Sequence, residues 1–96
     1  MKMCFVVYCD AADKFVIDAF KKAGIREYTK LEEAHGEGTE TVPKLGTHIW
    51  PGKNNVLMVA LEKENVGRLR AVIGELKKEH PRAGVRGFIM PLEEGL

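Results

Sequence analysis

Two glycine-bearing stretches with basic neighbours are the parts of this chain best suited to hold an anion. Gly36 and Gly38 stand where a strand-like pattern gives way to a long irregular segment. Gly84 and Arg86 lie in a second loop, with Lys78, His80 and Arg82 close by in sequence. Bare glycine backbone admits close approach, and amides with one or two cations neutralise a small anion. Gly36-x-Gly38 suits a plain turn equally well, and the basic cluster suits a solvated face. Bicarbonate or a small phosphate would match so few positive groups.

His35, His48 and the two cysteines raise a metal hypothesis. The spacing from His35 to His48 is not that of a recognised ligand pair, and Cys4 or Cys9 would have to converge from another strand. Histidines satisfied by solvent or protein are the favoured reading. For catalysis the chain is poor. It contains no serine, and Glu32 and Glu33 would point to opposite sides of a strand. Cys9 with a loop histidine is the one nucleophilic option, and nothing in the sequence places them together. The chain reads as a non-enzyme.

Ninety-six residues, 45% hydrophobic and 30% charged, make one soluble domain with one core. A formal net charge of +1 gives no electrostatic case for nucleic acid or an anionic membrane. No apolar run approaches the roughly 20 residues that span a bilayer, so direct membrane insertion is not expected. The apolar start, residues 1–9, reaches Asp10 too soon for a signal sequence. A cytoplasmic location is expected.

The elements that must position these residues follow from periodicity. Residues 2–9 are near-continuously apolar, as in a central strand, and the odd separation of Cys4 and Cys9 sends their side chains to opposite faces. Asp10 is a plausible N-cap for a helix over roughly 12–23, with Phe15, Val16, Ala19, Phe20 and Ala23 as its apolar stripe and Gly24 as its stop. A strand over roughly 27–35 breaks alternation between Tyr28 and Leu31, which calls for a bulge or a late start. Residues 36–53 carry glycines, prolines and threonines and the only tryptophan, which deny them sustained regular structure. The apolar group Ile49–Trp50, beside His48, must be buried against its own fold, a sister subunit or a foreign partner. A third strand at 56–61, a helix lined by Val66, Leu69, Val72, Ile73 and Leu76, and a last strand at 86–92 complete the chain. Pro91 places that last strand at an edge or terminus.

The order β-α-β, long loop, β-α-β predicts an α+β, ferredoxin-like βαββαβ sandwich, a four-stranded antiparallel sheet with two helices on one face. Apolar strands leave the other sheet face in need of cover, and self-association is expected.

On Phe20-Lys21-Lys22-Ala23-Gly24-Ile25, Glu33-Ala34-His35-Gly36-Glu37-Gly38 and Phe88-Ile89-Met90-Pro91-Leu92-Glu93-Glu94, the chain resembles the PII-type nitrogen-regulatory signal proteins, in a shortened form. The resemblance covers residues 1–94 and implies one PII-like domain over 1–96, a homotrimer, and clefts between subunits that hold adenine nucleotides. It makes 36–53 the counterpart of the family's T-loop, which docks on target proteins. It assigns Gly36 and Gly38 to the loop base beside the nucleotide, Thr29 to a hydroxyl near the base, and Gly84 and Arg86 to the phosphates. Thr39 and Glu40 stand where the family has an arginine-glutamine pair, and Val85 replaces a second glycine. Fewer groups therefore remain to neutralise phosphates.

The expected function is a trimeric, cytoplasmic regulator sensing ATP, ADP, AMP or bicarbonate and signalling to a membrane transporter or metabolic enzyme through 36–53, with His48, Ile49 and Trp50 in the docking loop. The alternatives are a divalent-metal trimer of the cation-tolerance type using His35 and His48, and a trimeric interaction module without ligand.

Overall fold

The computed structural model describes residues 1–35 and 53–96. Its elements are β1 (Lys2–Cys9), α1 (Asp13–Lys22), β2 (Thr29–Ala34), β3 (Asn54–Leu61), α2 (Val66–Glu79) and β4 (Arg86–Pro91). Single 3-10 turns at Asp10–Ala12, Lys63–Asn65 and Pro81–Ala83 lead into α1, into α2 and towards β4. The strands form one antiparallel sheet in the order β2-β3-β1-β4, the ferredoxin-like arrangement expected from the sequence. No helix among the described residues is long and apolar enough to cross a membrane.

Both helices cover one face of the sheet. Cys4, Val6 and Tyr8 of β1 and Leu57 and Val59 of β3 are buried there against Val16 and Phe20 of α1 and Leu69, Val72 and Leu76 of α2. Alternate residues of the same strands therefore turn to the opposite face. The sheet register sets Phe5 between Met58 and Phe88, and Val7 between Val56 and Arg86. That face is apolar and bare in the single chain: Phe88 is 52% exposed and Leu31 50%.

Local details follow physical rules. Gly24 takes φ +81°, and its N–H bonds Lys21 O while Ile25 N–H bonds Phe20 O. This doubly bonded left-handed stop satisfies two end carbonyls and brings Ile25 back onto the core beside Phe20. Of the two alternatives that broken alternation allowed, β2 shows both: it starts at Thr29 and shifts register between Leu31 and Ala34. Glu33 adopts φ 59° in that bulge, so strict alternation does not govern Glu32 and Glu33. β4 is an edge strand, as Pro91 suggested.

Two local expectations change. Asp10 is not a side-chain cap; it begins the 3-10 turn, and its N–H bonds Lys53 O. Phe15 is not core, being 52% exposed and stacked on the His80 ring with centroids 4.3 Å apart. The inward side of α1 is centred on Val16 and Phe20, which leaves Phe15 at the margin.

Candidate functional site

Antiparallel pairing brings the ends of β1 and β2 and the starts of β3 and β4 to one end of the sheet. Cys9 ends β1 opposite Asn54, and Ala34 ends β2 opposite the same Asn54. Lys53, whose carbonyl accepts from Asp10 N–H, and the end of β2 thus lie beside the start of the turn into α1. The loop before β4 arrives at the same end, since Arg86 pairs with Val7. Gly84 holds φ 67° there, a left-handed conformation that glycine adopts at no steric cost. His35 lies exposed just past β2.

Thr29 and Arg86 share the bare face, because their partners in the register, Met58 with Phe5 and Val7, all belong to it. They sit on the two outer strands, however. Three strand spacings of about 4.8 Å separate β2 from β4, roughly 14 Å across the sheet. An anion the size of bicarbonate bound within one chain would not touch both. Gly36, Gly38, His48, Ile49 and Trp50 lie outside the described residues. Among the described residues no group of three or more His, Cys, Asp or Glu side chains could hold a metal.

The strongest polar constellation was not anticipated from the sequence. Asp13, the first residue of α1, accepts hydrogen bonds at Oδ1 from the Tyr8 hydroxyl (2.6 Å) and from Asn55 Nδ2 (3.0 Å). Its Oδ2 pairs with Lys30 Nζ at 3.0 Å. Burial of Asp13 works against its charge, but the donated hydrogen bonds from Tyr8, Lys30 and Asn55 outweigh it and hold the carboxyl below its ordinary value. Burial pushes the Tyr8 hydroxyl up, and its bond to Asp13 adds to that. The hydrogen bond to Asp13 likewise raises Lys30. A carboxylate so fully engaged is a lock and not a general base. It ties the start of α1 to β1, β2 and β3, and so to both strands that flank 36–53. The available signal was Tyr8: its inward parity buries a hydroxyl that must find an acceptor.

Hollows border the helices among the described residues. One, of about 490 Å³, runs between α1 and α2 over Ala19, Val72 and Leu76. Another, of about 420 Å³, lies between the turn into α1 and the Pro81–Ala83 turn. The Phe15–His80 stack borders both.

Solved structures share this architecture. The chain is similar to CPII, a nitrogen regulatory PII-like protein from Thiomonas intermedia K12 bound to ADP, AMP and bicarbonate. That match has TM-score 0.70 at 18% identity and covers 99% of this chain and 92% of that one. A structure of CPII bound to ADP, AMP and acetate matches with the same TM-score and identity over 99% and 88%. A candidate PII-like signaling protein from Thermus thermophilus matches with TM-score 0.61 at 22% identity over 93% and 82%. No protein-family model matches the chain, and no curated protein does. The structural likenesses establish a PII-like fold over nearly the whole chain, in agreement with the resemblance carried by the sequence.

Proposed function

We propose that this PII-like fold serves a non-enzymatic regulator, assembled as a homotrimer through its bare sheet faces, that holds an adenine nucleotide or a small anion such as bicarbonate between subunits. The observation that carries this reading is the placement of Thr29 and Arg86 on one apolar face but on opposite outer strands. In this reading the ligand lies between two copies, with Gly84 and Arg86 from one and Thr29 from the next. The apolar face supports association, because its burial is favourable by about 25 cal/mol per Å². The ligands of CPII, namely ADP, AMP and bicarbonate, fit a cleft with so few cations.

In this mechanism the Gly84 turn and Arg86 meet the anionic part of the ligand beside the loop base at Gly36 and Gly38. Occupancy biases the conformation of 36–53, whose His48, Ile49 and Trp50 dock on a membrane transporter or a metabolic enzyme. The Asp13 lock holds β2 and β3 in fixed relation, so a change at the loop base is directed into the loop and not into the sheet. Calorimetric titration with ATP, ADP, AMP and bicarbonate tests the reading, run beside light scattering for mass. Saturable heat with at least one of the four, on a trimer and weakened by Arg86→Gln, is expected. Silence with all four removes the sensing role, and a monomer at micromolar concentration removes the cleft.

A further inference from the structure

The hollow between the turn into α1 and the Pro81–Ala83 turn lies at the end of β1, with Cys9 and Ala11 also in its lining. Its floor is made by Ala12 and Ala83, both buried. Their side chains stop at Cβ, which leaves a depression of about 420 Å³, within the range of small-molecule sites. Pro81 and Phe15 wall it. Phe15 is a large apolar residue held out of the core and braced there by its stack on His80, with an interplanar angle of 19°. Such a wall offers a flat aromatic surface at little further ordering cost.

One permanent cation, Arg82, also lines this depression. Among the described residues no carboxylate pairs with it, and no carboxylate belongs to the lining. An apolar floor with aromatic and proline walls and a single guanidinium defines a complementary ligand: an apolar body carrying one negative charge. Polyphosphates fit badly, since their remaining charge would face the apolar walls. A neutral hydrocarbon would leave the exposed guanidinium to water and gain nothing from it. We infer that this groove binds a small amphiphilic carboxylate, its aryl or alkyl body against Phe15 and Pro81 and its carboxylate on Arg82. One chain supplies every contact in this groove, whereas the proposed cleft needs two.

Amide chemical-shift mapping on the full chain tests it, with phenylpropionate as the probe and phenylpropanol as its neutral counterpart. Saturable shifts centred on residues 11–15 and 80–83 are expected. The alcohol should bind about fivefold more weakly, the scale of one solvent-accessible ion pair. Arg82→Gln should abolish the preference for the acid without changing thermal stability, and Phe15→Ala should weaken both probes. Equal affinity for acid and alcohol overturns the inference, as does an unchanged preference in Arg82→Gln. Shifts that fail to saturate, or that map to the bare sheet face, overturn it too.

Discussion

Tyr8, whose side chain has no exposed surface, donates its phenolic proton to Asp13 Oδ1 across 2.6 Å. Buried Asn55 shares the same oxygen. Asp13→Ala leaves two buried donors without an acceptor, each costing roughly 1–3 kcal/mol, so a loss of about 3 kcal/mol is expected. Tyr8→Phe alone should cost about 1 kcal/mol, and in the Asp13→Ala background it should become neutral or stabilising, because it then removes an orphaned hydroxyl. Urea denaturation of the four proteins in this cycle measures the coupling, and simple additivity would show that the bond contributes nothing.

The lock also sets an acid limit. Asp13 titrates below its ordinary value of 3.8 in the folded chain, so its contribution is complete above 3.8 and is lost as pH falls through the depressed folded value. Between roughly pH 5 and pH 8 the stability gap between the native chain and Asp13→Asn should be constant, and it should narrow in acid. On the alkaline side the sign reverses for Lys30, which its bond to Asp13 raises above 10.5. Its contribution is complete below 10.5 and fades as pH climbs through the raised value. Thermal melts of both proteins across the pH range check the two arms.

Cys4 and Cys9 should differ sharply in reactivity. Cys4 is buried, and that burial lifts its thiol above the ordinary value despite an opposing backbone hydrogen bond at Phe88. Cys9 is partly exposed at the end of β1. Ellman titration of native protein should therefore count one thiol per chain, rising to two in denaturant, and Cys9→Ala should abolish the native signal.

The fold was legible because its signals are local. The continuous apolar run of β1, the helical spacing of Val66, Leu69, Val72 and Leu76, and Gly24 as a stop each depend on neighbours within a few residues. The Asp13 lock was not legible for the opposite reason: its donors, Tyr8, Lys30 and Asn55, are far apart in the chain, and no short-range pattern reports which polar side chains converge after folding. Phe15 was misread because helical spacing assigns a stripe but not its centre. Only the packing of Val16 and Phe20 fixes the rotation of α1. The outer position of β4, and with it Arg86, was signalled by Pro91 and by the ferredoxin-like order of elements.

Gly87 marks a close approach between β4 and α2. A Cβ there would stand 2.5 Å from Ile73 Cδ1, inside van der Waals contact. Gly87→Ala should cost about 1 kcal/mol, the modest end of overpacking, since the obstructing atom is the tip of a side chain. Ile73→Val removes that tip. The double variant should recover most of the loss in urea denaturation, whereas full additivity of the two costs would place the strain elsewhere.

Phe88 provides the sharpest test of association. It lies on the bare face beside Phe5, 52% exposed, and contributes nothing to the core cluster under the helices. Phe88→Glu should leave the stability of the single chain within about 0.5 kcal/mol, as surface substitutions do. In an interface the same change buries an unpaired carboxylate in an apolar contact, which association cannot tolerate. Light scattering should then show the native chain as an oligomer and Phe88→Glu as a monomer at the same concentration. If the two have equal mass, the sheet face is not where copies meet, and the proposed cleft between subunits is lost.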